Sequence, residues 1–184
     1  MKAIMQSINP EHVFNMRVSG KRFPPKRIEV RKSAPDETPF KAYIYETKQK
    51  GKSFVDTTVE DMKMEVIIRG CGKVVGEYIC RNVETVRANN MIAAYYNNRP
   101  ETRLTDAQLY LYANGKPLKF IYMEDVIFYD KPKELSEFRG FCSKKAKCYS
   151  DIIRHCNDTH LTWKCNPLTR APQSYMYVEE LEEL

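Results

Sequence analysis

The sequence has no long apolar segment. Its longest uninterrupted apolar run, residues 91–96, is far too short to span a bilayer. The first residues, MKAIMQSINPEHVF, lack the apolar core and following cleavage site of a secretory signal. We therefore expect a cytoplasmic protein with no membrane partner, whose cysteines stay reduced unless they bind a metal.

Glycine and proline are also scarce. Together they account for 17 of 184 residues, which is too few for a low-complexity chain, and no internal repeat is present. Hydrophobic residues make up 42% and charged residues 29%, as is typical of a globular protein long enough to bury a core. Predicted strands and helices do not alternate regularly, which disfavours a parallel doubly wound sheet.

The six cysteines include no Cys-x-x-Cys pair. Four of them share one 24-residue segment with His155 and His160, and five, seven and eight residues separate Cys142, Cys148, Cys156 and Cys165. Thiols and imidazoles are zinc ligands, but these spacings are not those of common zinc motifs. Two interpretations stay open, a zinc site and a small cluster of reduced cysteines around Trp163. We predict no other cofactor.

Tyrosine and unevenly placed charge are abundant. The 12 tyrosines favour strands and surfaces that are half apolar and half wet. The formal net charge is +6, and residues 17–32 hold seven basic residues against one acid, Glu29. A second basic region covers residues 139–170, and the C-terminal end is acidic. This distribution permits a polyanionic partner without requiring one.

Local patterns predict a mixed order of elements. Residues 2–8 form a strand, Pro10 opens a helix that ends at Gly20, and residues 27–32 alternate as a half-buried strand. In that strand Ile28 and Val30 point inward, and the opposite face is charged, with Arg27, Glu29 and Arg31. His12, on the first helix after Pro10, could reach a cleft at the helix–strand junction, but we favour its interpretation as a surface residue of that helix.

The later chain predicts more strands and a second clear helix. We expect strands at residues 40–47 and 175–178, and at least one strand within residues 117–129, before Pro132. Two further strands, 64–69 and 73–83, are predicted to form a hairpin. Residues 48–58 are predicted as a loop and 84–97 as a helix. A better helix spans 104–112, with Thr105 as N-cap and Asn114-Gly115 as its stop. Together these elements favour an α+β fold, a mixed or antiparallel barrel with two or three peripheral helices.

Several segments resemble ASCH-domain proteins, which are small β-barrels related to the PUA fold. Residues 7–13 (SINPEHV), 20–21 (GK) and 28–32 (IEVRK) are similar to the start of that family, whose hallmark is Gly-x-Lys-x-x-Glu-x-Arg. Residues 72–78 resemble its second hallmark strand, and 129–138 and 170–175 resemble a phage-type subgroup. The resemblance implies a PUA-like domain over residues 1–138 and a loop-rich, cysteine-containing extension over 139–184.

The resemblance further implies that RNA or a nucleotide binds in a cleft at the helix–strand junction of residues 20–32. Arginine can grip a phosphate or base edge bidentately, lysine acts as a point charge, and tyrosine rings stack on bases. The candidate ligand-binding residues are Lys21, Lys26, Arg27, Glu29, Arg31, Tyr43 and Tyr45. Aligned from the strand, the family lysine is Lys26. Aligned from Gly20, it is Lys21.

Three alternatives to a binding cleft also follow. Some relatives hydrolyse the amide of acetylated cytidine, which makes Lys26 and Glu29 candidate catalytic residues, although the strand position of the relatives' hydroxyl residue is Glu29 here. A phage-type interaction protein without catalysis is the second alternative. In the third, Glu29 and Arg31 simply form a surface ion pair with little energetic weight.

Overall fold

The computed structural model describes residues 2–17, 24–56, 63–87, 99–140 and 167–181. Strands dominate these residues, and two α-helices accompany them, α1 (Pro10–Arg17) and α2 (Asp106–Ala113). The strands are β1 (Ala3–Ile8), β2 (Ile28–Arg31), β3 (Phe40–Glu46), β4 (Lys50–Asp56), β5 (Lys63–Arg69), β6 (Val74–Cys80), β7 (Val83–Val86), β8 (Leu118–Tyr122), β9 (Glu124–Lys133), β10 (Phe138–Gly140) and β11 (Tyr175–Glu180). None of the helices described here is long and apolar enough to cross a membrane.

The main sheet has six strands in the order β10-β11-β1-β3-β6-β9. Its strands pair antiparallel except β1 and β3, which run parallel. Parallel neighbours need a crossover connection, and here that connection contains α1 and β2. The described basic residues Lys26, Arg27 and Arg31 therefore belong to the crossover between two neighbouring strands of the main sheet.

Two smaller sheets complete the described structure, one with the order β2-β8-β7 and one formed by β4 and β5. The fold is mixed α+β and mostly sheet, as predicted. Hydrogen bonding does not close the described strands into one barrel, so the barrel stays a prediction. The end of the chain supplies β11, which lies between β10 and β1 in the main sheet.

The described core includes two apolar clusters, of which the second fixes the direction of β2. Ile4, Phe40 and Ile44 of the main sheet pack with Val13 and Met16 of α1 in one cluster. The second cluster holds Ile28 and Val30 of β2 with buried side chains of β8 and α2. Because successive strand residues point to opposite faces, Glu29 and Arg31 are directed away from that second cluster.

The predicted loop over residues 48–58 is wrong for most of its length. Residues 50–56 form β4, which pairs antiparallel with all of β5. Consequently β5 and β6 are not a hairpin, since β6 pairs with β3 and β9 instead. At the junction, the N–H of Gly70 donates to Gln49 O at 3.0 Å, and a Cβ at Gly70 would lie 1.6 Å from Thr47 O. The glycine-rich turn thus connects β5 to β6 of the main sheet, and its backbone packs closely on the backbone of residues 47–49.

Two other boundaries differ from the sequence prediction. Residues 83–86, partly within the predicted helix 84–97, form β7, and residues 88–97 lie outside the described residues. The apolar stretch 117–129 contains β8 and the start of β9, and β9 continues past Pro132 to Lys133. Proline is tolerated there because β9 lies at an edge of the main sheet and need not donate from every N–H.

Helix α2 begins and ends as its sequence predicts. The Thr105 hydroxyl accepts from the N–H of Gln108 at 3.1 Å, and Gln108 Oε1 accepts from the N–H of Thr105 at 2.8 Å. This reciprocal pair satisfies donors that the helix itself leaves free. Asn114 ends the helix in the left-handed conformation. The predicted end of α1 at Gly20 lies outside the described residues.

Replacing Thr105 tests the N-cap. We expect Thr105→Ala to lower the free energy of unfolding by about 1 kcal/mol, because the N–H of Gln108 loses its acceptor. Thr105→Ser keeps the hydroxyl and is the matched control. Urea unfolding of the three proteins measures the difference, and equal losses in both variants would contradict the capping role.

Candidate functional site

The segment before β2 is tied down by its own backbone. The N–H of Lys26 donates to Asn15 O of α1 at 2.8 Å, and the N–H of Arg27 donates to Glu101 O at 2.9 Å. Glu101 belongs to a single 3-10 turn, Pro100–Thr102. The first helix and this turn therefore hold the start of β2 from both sides, which sets the position of the Lys26 side chain.

Glu29 lies in a buried cluster of charges. Its side chain is 5% exposed, and Oε1 accepts a hydrogen bond from Arg31 Nε at 2.9 Å. Lys26, with 1% of its side chain exposed, places Nζ 3.8 Å from Glu29 Oε2 and donates to Thr102 O at 2.7 Å. The predicted pairing of Glu29 with Arg31 is confirmed, but its predicted surface position is wrong, because Lys26 and Arg31 flank a carboxylate that water scarcely reaches.

Arg31 extends this cluster to the main sheet. Its guanidinium also donates to Ser7 O of β1. Beside Ser7, the Gln6 side chain is buried and accepts a hydrogen bond of 2.6 Å from the hydroxyl of Tyr78 in β6. One arginine thus connects β2 of the smaller sheet to a buried polar layer of the main sheet.

The charges of this cluster shift one another's protonation. Burial alone would raise the pKa of Glu29, but Lys26 and Arg31 outweigh it and lower that pKa below its ordinary value. Burial lowers the pKa of Lys26, although Glu29 opposes this shift. Glu29 is therefore ionised at neutral pH, and Lys26 gives up its proton more readily than a solvated lysine does.

Two buried atoms of this region have no hydrogen-bond partner. These atoms are Glu29 Oε2 and His12 Nδ1. Among the described residues, they are the buried side-chain nitrogen and oxygen atoms without a hydrogen-bond partner. The other ring nitrogen of His12, Nε2, lies 3.9 Å from Glu11 Oε1. Burial, with Lys26 as the next cause, lowers the pKa of His12, so its imidazole is neutral at neutral pH. Native proteins rarely leave buried polar atoms unpaired, so such atoms need an explanation.

Both residues line a cleft of about 730 Å³. One wall comes from the end of β1 and the start of α1, and the floor comes from β2 and Lys26. Opposite lie α2 and the residues preceding β11. The floor contains Lys26, Glu29, Val30 and Arg31, and the walls include Ser7, Asn9, Glu11, His12, Tyr45, Thr47, Gln108, Tyr112 and Gln173. The volume is that of a small-molecule site.

The structure brings together four of the predicted ligand-binding residues, Lys26, Glu29, Arg31 and Tyr45, which all line the cleft. Arg27 does not. Its guanidinium donates to Met16 O at 2.9 Å and to Lys26 O at 2.7 Å, so it serves the backbone at the end of α1. Lys21 lies outside the described residues.

Tyr43 is the second predicted residue that does not line the cleft. Its ring packs edge-to-face on Phe138 at 4.8 Å between centroids, and its hydroxyl donates to Glu180 at 3.4 Å. Tyr43 therefore lies outside the cleft lining, where its ring packs on Phe138 and its hydroxyl binds a carboxylate, and its assignment as a ligand-binding residue stays a prediction.

Sequence reasoning missed several wall residues. For His12 the sequence favours a surface position over one at the cleft, and the structure places this residue in the cleft lining with its Nδ1 atom buried. Gln173 reaches the cleft through a long-range contact, since the Ser7 hydroxyl donates to Pro172 O at 2.6 Å. The resembling segment SINPEHV contained a signal for His12. Gln173 lies within the resembling segment 170–175, but nothing in that segment predicts that it reaches the cleft.

The zinc site predicted from the sequence involves four cysteines between residues 142 and 165. Within the described ranges, no three His, Cys, Asp or Glu side chains are grouped to hold a metal ion. Cys142, Cys148, Cys156 and Cys165 all lie outside those ranges, so a zinc site there stays a prediction.

Comparison with known proteins finds likeness in structure and none in sequence. No family profile matches the chain, and no curated protein matches it. The ASCH protein of Zymomonas mobilis superposes with a TM-score of 0.51 at 18% identity, over 99% of this chain and 89% of that one. The chain shares the fold of this ASCH protein. Two mutants of the Zymomonas mobilis protein give a TM-score of 0.52 at 17% identity, covering 99% and 100% of this chain and 89% and 92% of theirs.

Removing Arg31 tests the buried cluster. We expect Arg31→Met to lower the free energy of unfolding by about 3 kcal/mol, because Glu29 keeps its charge and loses its hydrogen-bonded partner. Urea unfolding measures this change.

Arg81 provides the matched control. It pairs with Glu124 and Asp125 on the surface, where its side chain is 52% exposed. Exposed pairs contribute little because water and salt screen them, so Arg81→Met should unfold much like the wild type. If Arg31→Met and Arg81→Met lowered the free energy of unfolding by similar amounts, the Arg31 cluster would contribute no more than an exposed ion pair does.

Proposed function

We propose that this protein is an ASCH-type protein that binds a single nucleotide, either free or within single-stranded RNA, in the cleft above Glu29. The observation that carries the proposal is the buried Lys26–Glu29–Arg31 cluster at the floor of a cleft of about 730 Å³. A site of this size accepts one nucleotide and is too small for a folded nucleic acid.

The placement of the basic residues favours a pocket over a broad polyanion surface. Lys26 is buried, and Arg27 is engaged with backbone carbonyls, so neither belongs to an exposed patch that follows a phosphate backbone. Charge at the cleft is mixed, since Lys26, Arg31 and Lys52 face Glu11 and Glu29 around its lining. Mixed charge suits a ligand that presents both hydrogen-bond donors and a negative group.

Aromatic walls support a ligand with a planar ring. Tyr45 and Tyr112 line the cleft from β3 and α2, and the ammonium of Lys32 lies 5.0 Å from the centre of the Tyr112 ring. Single-stranded nucleic acids are commonly held by stacking of their bases on such rings. Tyr112 thus takes the stacking role that the sequence assigned to Tyr43.

The shared fold supports membership of the ASCH family and, with it, an RNA-related ligand. The phage-type subgroup, the closed barrel, the cytoplasmic location and the interaction protein without catalysis rest on sequence resemblance or composition and remain predictions.

Filling the cleft tests the binding function. Gln173 lines the cleft and is exposed, so Gln173→Trp should occupy the cleft without touching the buried charges. We expect titration calorimetry at low salt to give nucleotide and short single-stranded RNA affinities at least about tenfold weaker than those of the wild type, equivalent to about 1.4 kcal/mol.

Thr169→Trp is the matched control, because Thr169 is an exposed neutral residue near Gln173 that does not line the cleft. It should bind like the wild type. If the wild type binds neither nucleotides nor single-stranded RNA at low salt, where phosphate contacts are strongest, the proposed function is wrong.

Hydrolysis of an amide on a modified nucleoside is a second candidate, and the lowered pKa of Lys26 favours it. A neutral Lys26 amine can take a proton from water as the water oxygen attacks the amide carbonyl. It can return that proton to the departing nitrogen when the carbon–nitrogen bond breaks. Glu29, whose own pKa is lowered, is the weaker base and would stabilise the protonated lysine.

Substitution of Lys26 tests this candidate on acylated nucleosides. We expect turnover to rise with pH through a pKa below the ordinary lysine value of 10.5, since the deprotonated amine is the active form. Lys26→Ala should abolish turnover. Lys26→Arg should do so as well, because arginine keeps the charge and cannot lose a proton. Circular dichroism checks that each variant folds, and a wild type inactive on all acylated nucleosides would exclude the hydrolase.

A further inference from the structure

Glu29 Oε2 and His12 Nδ1 share two properties. Both are buried without a hydrogen-bond partner, and both residues line the cleft. The Glu29 residue as a whole is 4% exposed, so water cannot easily compensate its free oxygen. A ligand that supplies the missing partners is bound more tightly than one that does not. These two atoms therefore indicate which hydrogen-bonding groups a ligand must present.

The free atom of Glu29 is an acceptor. Lys26 and Arg31 keep the carboxylate ionised, and an ionised carboxylate has no hydrogen to donate. Arg31 Nε uses Oε1, whereas Lys26 Nζ stays 3.8 Å from Oε2, beyond hydrogen-bonding distance. Oε2 consequently requires a donor from the ligand.

The free atom of His12 is an acceptor as well. A neutral imidazole carries one N–H, and the carboxylate of Glu11 near Nε2 favours the proton on that nitrogen. Nδ1 is then the nitrogen with the lone pair. A ligand that satisfies both atoms therefore needs two hydrogen-bond donors, one for each acceptor.

We propose that the cleft selects guanine, with Glu29 Oε2 and His12 Nδ1 accepting from its N1–H and N2 amino group. This selection rests on the proposed nucleotide-binding function. Among the RNA bases, guanine presents two neighbouring donors on its Watson–Crick edge. Adenine and cytosine place one donor beside an acceptor, and uracil places its single donor between carbonyl oxygens.

The same arrangement orients the nucleotide. A carboxylate at the floor repels phosphate, so the base enters first and the ribose and phosphate lie towards the mouth. Lys52 also lines the cleft, and its ammonium lies 3.4 Å from Glu65 Oε1 in an exposed pair, so a phosphate near the mouth would have to compete with that carboxylate for it. Guanosine without phosphate should therefore retain the base preference of guanosine monophosphate.

A series of nucleosides tests the selection on the unmodified full chain. Inosine lacks the N2 amino group, and 1-methylguanosine lacks the N1–H. By titration calorimetry each should bind about tenfold to hundredfold more weakly than guanosine, because each leaves one acceptor unpaired. Adenosine, cytidine and uridine should bind at least as weakly. Equal affinities, or a preference for another base, would overturn guanine selection while leaving nucleotide binding intact.

Absence of binding by every nucleoside and nucleotide would instead overturn the proposed function and this selection together.

His12→Phe then tests the second acceptor. Phenylalanine keeps an aromatic ring and removes Nδ1, so the penalty for one of the two analogues should shrink to about threefold or less, while the other penalty persists. Arg81→Met, remote in its surface ion pairs, is the control and should keep both penalties. Both penalties unchanged in His12→Phe would overturn the role of His12.

Discussion

Burial of one carboxylate is the constraint on which the site depends. Glu29 sits where water scarcely reaches it, and a buried charge is tolerated only when partners surround it. Its partners Lys26 and Arg31 are themselves anchored to backbone carbonyls, Thr102 O and Ser7 O. The carboxylate therefore fixes how β2, the 3-10 turn after residue 99 and β1 approach one another.

The two faces of β2 divide stability and function between them. Ile28 and Val30 pack into an apolar cluster with β8 and α2, and this packing anchors the strand. On the opposite face, the burial of charged side chains costs desolvation free energy, which the apolar packing offsets. Binding sites commonly carry such a cost, because a pre-organised polar group does not have to reorient when its ligand arrives.

Sequence patterns predicted the faces of β2 and missed their burial. The alternation over residues 28–31 placed Ile28 and Val30 opposite Glu29 and Arg31, and the structure confirms this. Alternation cannot distinguish a charged face in water from a charged face covered by distant residues. Here the cover comes from Ser7 and Thr102, which lie far from Glu29 in sequence.

The same distinction explains other outcomes. Helix α2 was predictable because its cap residues are local, with Thr105 and Gln108 one turn apart. Strand β4 was not, because its sequence KGKSFVD reads as polar and its pairing with β5 supplies the order. Tyr43 and Tyr45 look alike in sequence, and only contacts with Phe138 and Glu180 distinguish them.

The position of β11 has a consequence for how the protein is made. Gln173 and its neighbours complete the wall of the cleft, whereas the floor comes from residues before position 32. During synthesis the early strands leave the ribosome long before this wall exists. The side chains of the cleft floor then stay accessible to water or to chaperones until β11 inserts between β10 and β1. The cleft is therefore complete only after residues 171–180 have been synthesised and β11 has joined the main sheet.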